Sequence, residues 1–232
     1  MKFAIIAAGE GSRLRSEGFR VSKPLVEING MPMLQRLVTI FAQFLPEEIL
    51  VISNEQQPDV AALISQLSKD FPLRHLVKST PSSMHSFYEL APFLTDAPFC
   101  LTTVDSVFGP AEFSDYISTF SASDVDGLMA VTRFVDDERP LYVDVDDDFT
   151  IRGFYDESCN VHFVSGGLYC LSPRVIPLLR RCIESGQSRM RNFQRRMVAE
   201  GFRLKAYPFR KIMDVDHVED IAKANDFLNS LQ

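Results

Sequence analysis

The sequence predicts one α/β domain over residues 1–232, in which a mainly parallel mixed sheet lies between two layers of helices. Short apolar runs alternate with amphipathic segments in the first half of the chain, and this alternation is typical of parallel sheets covered by helices on both faces. The length of 232 residues suits a single hydrophobic core, because cores grow to roughly 250 residues before they divide. No linker, repeat or low-complexity run interrupts the pattern.

The elements of the first half can be assigned in order. Residues 2–8 form an apolar run that ends in glycines, which predicts a strand buried on both faces, and a polar loop follows over 9–30. Pro32 suits the first position of a helix whose apolar residues recur at helical spacing up to Leu45, and Pro46 ends it. Further strands are predicted over 48–53, 73–77 and 98–104, with helices over 60–67 and 87–94 between them.

The second half is richer in strands. Three consecutive acidic residues, 146–148, suit a hairpin turn between two of these strands. A helix over 218–228 is expected to close the fold. The remaining predicted elements are strands over 127–134, 141–145, 149–154, 162–171 and 203–208, and helices over 175–183 and 190–200.

Composition narrows the classes of function. A net charge of −7 and a sequence pI near 5.1 argue against nucleic acid as a partner, because such proteins normally present a basic surface. The apolar run at the N-terminus is shorter than a signal peptide requires, and no segment reaches the ~20 apolar residues of a membrane span. We therefore expect a cytoplasmic protein without a membrane partner, and the sequence leaves homo-oligomerisation open.

The cysteines and histidines give no sign of a zinc site. The four cysteines are far apart and form no CxxC pair, and no HExxH motif occurs. Cys100 and Cys170 lie within apolar runs, so we expect both to be buried thiols.

The first segment with a chemical signal is Ala7-Ala8-Gly9-Glu10-Gly11-Ser12-Arg13-Leu14, with Lys23-Pro24-Leu25 further along. Glycines directly after a strand let backbone amides approach phosphate oxygens, to which Arg13 and Lys23 can add charge. The pattern is not a Walker loop, and Leu14 stands where the dinucleotide GxGxxG motif has its third glycine. A simple glycine turn with solvated charges is the alternative for the glycines alone.

Two acidic segments are candidates for a cation site. Asp105 follows the apolar run 98–104, at the carboxyl end of a strand, where α/β sheets bind their ligands, although it could equally cap a turn or helix. Asp214 and Asp216 project to one face if their segment is extended, and paired carboxylates suit Mg²⁺. Alternatively, Asp216 and Glu219 cap the final helix, and the two roles can coexist on one residue.

Three weaker segments complete the set. Ser82 and Ser83 precede a predicted helix, where serines usually serve as N-caps. Gly166 and Gly167 interrupt a predicted strand, as a ligand-lining segment or a β-bulge does. Residues 152–157 end in two acidic side chains.

Taken together, these segments resemble the signature of the sugar-phosphate nucleotidyltransferase superfamily, which includes MobA-like enzymes and the transferases that activate sugar or choline phosphates. The resemblance implies a Rossmann-like, GT-A-like three-layer sandwich. It also implies a Mg²⁺-dependent enzyme that transfers a nucleoside monophosphate from an NTP to a phosphorylated small molecule and releases pyrophosphate. Sugar 1-phosphates and phosphocholine-like alcohols are the acceptors that it suggests.

The same resemblance implies roles for individual residues. Arg13 and Lys23 match the basic residues that contact the NTP phosphates, and they are the expected catalytic residues. Asp105 and Asp216 match the metal ligands, and Asp214 stands where Glu is common. The implied nucleotide contacts are Ala7, Ala8, Gly9, Gly11, Ser12, Arg13, Ser82 and Ser83, and the implied acceptor contacts are Gly166 and Gly167.

One departure from the family pattern leaves the acceptor open. Residues 152–157 resemble a segment that usually reads Phe-x-Glu-Lys, but the lysine is missing and position 158 is Ser. Lys211 or Arg210 are candidates to supply that charge. Two other functions therefore stay in view: a metal-dependent glycosyltransferase that uses Asp-x-Asp, at 144–146 or 214–216, and a catalytically silent nucleotide-binding protein.

Overall fold

The computed structural model of the chain describes residues 1–136, 138–158 and 161–231. In chain order, its strands are β1 (Lys2–Ala7), β2 (Glu27–Ile28), β3 (Met31–Pro32), β4 (Ile49–Ser53), β5 (Leu73–Val77), β6 (Phe99–Thr103), β7 (Ser106–Phe108), β8 (Gly127–Thr132), β9 (Tyr142–Val145), β10 (Ile151–Tyr155), β11 (Phe163–Leu171), β12 (Leu204–Phe209) and β13 (Ile212–Asp214). Its helices are α1 (Ser12–Ser16), α2 (Met33–Ala42), α3 (Pro58–Leu67), α4 (Ser83–Leu90), α5 (Pro110–Ser121), α6 (Ile176–Glu184), α7 (Met190–Ala199) and α8 (Val218–Asn229).

Nine of the strands in the described residues form one mixed sheet. β1 lies between β4 and β6 and is parallel to both, and β5 extends the sheet parallel to β4. β11 runs antiparallel to β6 and also pairs with β8, which in turn is parallel to β12. The hairpin of β9 and β10 joins the beginning of β11. The predicted fold class, a mixed sheet flanked by helices, is confirmed.

Strand β1 shows why the fold has three layers. Successive side chains of a strand point to opposite faces of the sheet. Phe3 and Ile5 accordingly belong to one hydrophobic cluster with helices α2 and α5, whereas Ala4 and Ile6 belong to a second cluster with helices α4, α6 and α7. Because both faces of the strand are covered, its sequence is a continuous apolar run without alternation.

Helix α5 is an element that the predictions above do not include. Pro110 occupies its first turn, and Phe113, Tyr116 and Phe120 recur along the buried face. The Tyr116 hydroxyl donates to a backbone carbonyl of β8 at 2.6 Å and accepts from a backbone amide of β11 at 2.8 Å. These two bonds tie the helix to the second half of the sheet.

The segment before β4 differs from the prediction in two places. The expected polar loop over 9–30 contains α1, a 3₁₀ turn at Lys23–Leu25 and strand β2. Helix α2 ends at Ala42 rather than reaching Leu45, which has a φ of 48° and is 89% exposed. The helix ends early because the chain must already turn before Pro46, and a residue that precedes proline is disfavoured in helical conformation.

A second, two-stranded sheet brings distant parts of the chain together. β7 follows β6 almost directly, and β13 pairs with it antiparallel, with Asp214 opposite Ser106. The amide of Val215 also donates to the carbonyl of Asp105 at 3.1 Å. This small sheet therefore carries the late acidic segment to the carboxyl end of β6.

The cysteines and the helices agree with two further expectations. Cys100 and Cys170 are buried free thiols, as expected, and Cys182 is buried as well. Cys159 lies outside the described residues. Among the helices that the structure describes, none is both long and apolar enough to cross a bilayer.

Candidate active site

The glycine loop after β1 and the lysine segment form one structural unit. Gly11 has a φ of 62°, a conformation that favours glycine, and a Cβ at this position would lie 2.9 Å from the Cβ of Lys23. Only glycine permits this close approach of Lys23. Helix α1 begins directly after Gly11 and carries Arg13, so both predicted phosphate-binding cations are positioned by the same turn.

Two amide side chains from the connection between β4 and α3 hold the glycine loop from behind. Asn54 donates from Nδ2 to the carbonyl of Ala8 at 3.2 Å, and Gln57 donates from Nε2 to the carbonyl of Gly9 at 3.1 Å. Both residues are almost fully buried. The sequence does not reveal their role, because neither belongs to a motif and the contact depends on the pairing of β1 with β4.

A cleft of about 690 Å³ opens beside this loop. Its other walls are the N-terminus of α4 and the carboxyl end of β6. Ala7 does not line it, because its side chain alternates into the hydrophobic core on the other face of the sheet. The predicted site residues that line the cleft are Ala8, Gly9, Gly11, Ser12, Arg13, Lys23, Ser82, Ser83, Asp105 and Asp216.

Ser82 combines both of the roles considered for it. It is the N-cap residue of α4, and its hydroxyl accepts from the backbone amide of His85 at 3.4 Å. Ser82 and Ser83 also line the cleft opposite the glycine loop. The positive end of the α4 dipole therefore borders a space in which an anion is favoured.

The centre of the cleft is an ammonium group between two carboxylates. Lys23 Nζ lies 2.5 Å from Asp105 Oδ2 and 2.5 Å from Asp216 Oδ1, and the lysine side chain is only 10% exposed. Burial by itself lowers the pKa of Lys23, but the two carboxylates more than offset this effect and raise it. Lys23 is therefore charged at neutral pH.

Asp105 is the more enclosed of the two carboxylates. Burial raises its pKa, but Lys23 opposes this effect with its charge and hydrogen bond, so that the pKa lies below its ordinary value. Oδ2 carries the contact with Lys23, whereas Oδ1 is buried and has no hydrogen-bond partner among the described residues. A buried carboxylate oxygen without a partner is rare in folded proteins and indicates a place for a further cation or donor.

Asp216 joins the two basic side chains and is not a helix cap. Arg13 Nη1 lies 2.5 Å from Asp216 Oδ2, so Arg13 and Lys23 hold opposite oxygens of one carboxylate. The alternative that Asp216 and Glu219 cap α8 is wrong. It is Asp220 that accepts the backbone amides of His217 and Asp216, at 2.8 Å and 3.1 Å, which leaves the Asp216 side chain free to enter the cleft.

Asp214 lies apart from this centre. Its Oδ1 accepts a hydrogen bond from the Ser106 hydroxyl at 3.2 Å, and it borders a neighbouring cleft rather than the one that contains Lys23. Asp214 is open to that cleft but otherwise surrounded by protein; this loss of solvation, together with the charge of Asp105, raises its pKa to about 8. Among the described residues, no group of three His, Cys, Asp or Glu side chains is arranged to hold a metal ion.

The neighbouring cleft, called here the small cleft, contains the predicted glycine segment. Arg13 and Asp216 line it together with Ser165 and Gly166, so it adjoins the larger cleft through two shared side chains. The pairing of β11 with β8 shifts register between Ser165 and Tyr169, which confirms a bulge at the two glycines. Gly167 has a φ of 74°, and a Cβ there would lie 2.8 Å from the Ser106 hydroxyl.

The lysine that the family pattern has after residues 152–157 is missing here, and neither Lys211 nor Arg210 replaces its charge in the clefts. Lys211 Nζ lies 4.2 Å from the centre of the Phe134 ring, and neither Lys211 nor Arg210 lines a cleft described above. Asp156 is instead paired with Arg191 at 2.5 Å and Arg195 at 2.7 Å, both on α7. The sequence gives no local sign of this pairing, since α7 follows β10 at a distance.

The first Asp-x-Asp segment has a structural role. Asp146 Oδ1 accepts the backbone amides of Asp148 and Thr150, at 3.0 Å and 2.9 Å, and so shapes the predicted hairpin turn between β9 and β10. It lines neither cleft. This observation removes one of the two metal-binding segments on which the glycosyltransferase alternative rests.

Comparison with known proteins agrees with this fold. The family model of the MobA-like NTP transferase domain matches residues 3–201. The inositol-1-phosphate CTP transferase from T. maritima is similar, with a TM-score of 0.79 and 18% identity over 98% of this chain and 97% of that chain. So is a putative glucose-1-phosphate thymidylyltransferase from Bacillus anthracis, with a TM-score of 0.86 and 16% identity over 100% of this chain and 96% of that one. The chain belongs to the family of MobA-like NTP transferase domains.

Proposed function

We propose that the chain is a Mg²⁺-dependent nucleotidyltransferase that transfers a nucleoside monophosphate from an NTP to the phosphate of a small acceptor. The observation that carries this proposal is the arrangement of Lys23 between Asp105 and Asp216, beside the Gly11 turn and Arg13. Cations for phosphate and carboxylates for a metal ion thus meet in one cleft. The family membership and the two similar structures support the same activity.

The residues present fit a magnesium ion. Mg²⁺ is commonly bound through one or two carboxylates together with substrate phosphates, so a preformed set of three protein ligands is not required. Asp105 Oδ1 is buried and has no hydrogen-bond partner within the described part of the chain, and Asp105 and Asp216 already share one cation, the ammonium of Lys23. Asp105 and Asp216 would hold the ion, and Asp214 is left as a third candidate. When bound, the ion would neutralise charge on the phosphates.

The proposed reaction is an in-line displacement at phosphorus. An oxygen of the acceptor phosphate forms a bond to the α-phosphorus of the NTP, and the bond from that phosphorus to the bridging oxygen breaks, which releases pyrophosphate. A phosphate monoester is already anionic at neutral pH, so no strong general base is needed. The protein contributes positioning and charge, which are the main requirements of phosphoryl transfer.

Arg13 and Lys23 have two successive sets of partners in this proposal. Without substrate, both bind carboxylates of the site. When the NTP occupies the cleft, its phosphates compete with these carboxylates for the two cations, since phosphates are good partners for both side chains. The glycine loop and the N-terminus of α4 supply backbone amides on either side of the bound triphosphate.

A pyrophosphate-release screen tests the proposal. Four NTPs are combined with phosphorylated acceptors, among them sugar 1-phosphates and phosphocholine, in the presence of MgCl₂. We expect Asp105→Ala and Asp216→Ala to lose about 100-fold or more in rate, because each removes a preorganised electrostatic contact. Asp147→Ala, a change at an exposed turn residue, is the matched control and should keep full activity.

Three outcomes would contradict the proposal. Retained activity of both Asp105→Ala and Asp216→Ala at saturating MgCl₂ would show that these residues do not serve the reaction. Transfer of a sugar from a nucleotide-sugar, without pyrophosphate release from any NTP, would instead favour the glycosyltransferase alternative. Nucleotide binding without turnover across the whole panel would favour the catalytically silent alternative.

A further inference from the structure

A third cavity beside the small cleft is lined by arginines. It has a volume of about 850 Å³, and we call it the arginine pocket after Arg139, Arg189, Arg191 and Arg195, which all line it. Glu138 and Pro140 border both this pocket and the small cleft. The two spaces therefore adjoin each other along one side of the candidate active site.

Two of these arginines are fixed in place by hydrogen bonds. Arg191 binds Asp156 through Nη1 at 2.5 Å and donates from Nη2 to the carbonyl of Arg139 at 2.9 Å. Arg195 binds the other oxygen of Asp156 at 2.7 Å and donates from Nε to the carbonyl of Phe154 at 3.1 Å. Each guanidinium group has five N–H donors, so both retain donors that can reach a ligand.

Arg189 differs from Arg191 and Arg195. Its side chain is exposed and makes no ion pair or hydrogen bond within the part of the chain that the structure describes. It precedes helix α7 with a φ of 74° and a ψ of 136°, a backbone conformation that favours glycine. An arginine kept in such a conformation at the rim of a cavity suggests a functional role, because strained residues concentrate at ligand sites.

The charges that line the arginine pocket favour an anionic ligand beside the candidate active site. Four arginines face three acidic side chains, Glu138, Asp156 and Glu157, in a chain whose net charge is −7. Burial raises the pKa of Tyr169 to about 12, an effect to which Asp214 and Asp105 add and which Arg191 opposes. Arg191 of the pocket and two carboxylates of the acidic centre therefore influence the same buried phenol.

Helix α7 also connects the pocket to the small cleft directly. Gln194 is almost fully buried and donates from Nε2 to the Ser165 hydroxyl at 3.3 Å, beside Gly166. The first turn of α7, which carries Arg191, lines the pocket, and no side chain caps the helix N-terminus. A ligand that extends from the small cleft would therefore meet uncapped amides and arginines next.

We propose that the arginine pocket binds a second acidic group of the acceptor, so that the acceptor is a phosphate monoester with a carboxylate or further phosphate at its far end. This inference rests on the proposed function, and it places the reacting phosphate of the acceptor in the small cleft, which Arg13 and Asp216 line. Arg189 and Arg191 contact the far group and determine specificity. They take no part in the bond changes at phosphorus.

Binding measured without NTP tests this inference separately from catalysis. Glucuronic acid 1-phosphate and glucose 1-phosphate differ only in the far carboxylate, and isothermal titration calorimetry gives the dissociation constant of each. We expect the wild-type protein to bind the acid at least about 10-fold more tightly, because charge-assisted bonds to arginine are the strong ones. Arg189→Gln with Arg191→Gln should remove this preference and change glucose 1-phosphate binding by less than about twofold.

Matched variants separate a binding role from a structural one. Arg180→Gln removes another exposed arginine, on α6, and should behave as the wild-type protein. Arg189→Gln alone keeps the ion pairs of Asp156 and should still weaken binding of the acid, whereas Arg189→Lys should restore part of it. Circular dichroism and thermal melting of each variant establish that the fold is retained.

The inference is overturned if wild-type protein binds the two compounds equally, or if the arginine variants weaken both to the same extent. A preference for the acid that disappears in Arg189→Gln supports it, even if no acceptor is turned over, in which case only the proposed function fails. If neutral sugar 1-phosphates are turned over and a far carboxylate does not tighten binding, the proposed function stands and this inference fails.

Discussion

Replacing Lys23 by Met should strongly destabilise the folded protein while the shape of the site is kept. Methionine retains most of the aliphatic chain that packs against Gly11, but it leaves Asp105 and Asp216 without their shared ammonium. The three side chains are 10%, 20% and 32% exposed, so the group is largely buried. Removal of one partner from a buried ion pair costs about 3–5 kcal/mol, and we expect about 3 kcal/mol because Asp216 keeps Arg13.

The size of this effect should depend on pH. In the wild-type protein Lys23 holds the pKa of Asp105 below its ordinary value, so this carboxylate stabilises the fold above that value and loses the contribution as pH falls. Without Lys23, burial raises the pKa of Asp105, and its ionisation then destabilises the fold as pH rises. The difference in stability between Lys23→Met and wild type should therefore be larger near pH 8 than near pH 4, and it should become small only below about pH 3, as Asp105 of the wild type is protonated.

Urea denaturation at a series of pH values measures this difference, with Lys69→Met, a change at an exposed lysine, as the control. MgCl₂ should stabilise Lys23→Met more than the wild type, because the carboxylates are then free to bind it. A loss below about 1 kcal/mol, or one that is the same at pH 4 and pH 8, would refute the reasoning that these charges are coupled.

Three other perturbations address the loop, an ion pair and the core. Gly11→Ala should cost about 1–2 kcal/mol in urea denaturation and slow pyrophosphate release, because the residue is in the left-handed region and its Cβ would press on Lys23. His217→Gln should lower the melting temperature mainly between about pH 4.5 and 6.5. His217 Nδ1 lies 2.5 Å from Glu17 Oε1, and this pair raises the pKa of His217 and lowers that of Glu17. Its contribution to stability is therefore lost above the histidine pKa and below the glutamate pKa, and a difference in melting temperature that is unchanged at pH 9 would contradict this. Tyr116→Phe should cost about 1–3 kcal/mol, since it leaves two buried backbone groups of β8 and β11 with a lost partner, and a neutral result would show that they find another.

The sequence predicts well the elements whose signal is local. The run 2–8 is a strand buried on both faces because its residues are apolar without alternation, and the structure confirms it. The amphipathic helices α2 and α3 are also confirmed, because the spacing of apolar residues within each segment is a local signal. The predicted end of α2 is wrong, because the spacing of apolar residues continues to Leu45, whereas the helical backbone ends at Ala42.

The predicted members of the cleft meet because their motifs lie at strand ends. Arg13, Lys23, Asp105 and Asp216 are brought together as the order of the motifs suggests, and their roles in catalysis stay a prediction. Geometry that depends on long-range pairing could not be predicted. Three-residue strands such as β7 and β13 have too short a pattern to be recognised, and their pairing decides where the late carboxylates lie.

The same limit explains why the sequence did not predict the contacts of the arginines on α7. Their positions suggest only a basic, amphipathic helix, and a charged helix face is usually solvated. Their importance depends on Asp156 and on the end of β10, which the fold places beside them. Asn54 and Gln57 were missed for a similar reason, since buried amides that hold a carbonyl have no sequence pattern of their own.

The pairing of β7 with β13 has a consequence for how the protein acquires activity during synthesis. Lys23 and Asp216 are 193 residues apart in the chain, so of the two carboxylates that contact the ammonium among the described residues, Asp105 alone is present until residue 216 has been made. A nascent chain can build the glycine turn and most of the sheet before Asp216, a proposed metal ligand, leaves the ribosome. Under the proposed function, nucleotide and metal should thus be bound productively only after β13 has docked against β7.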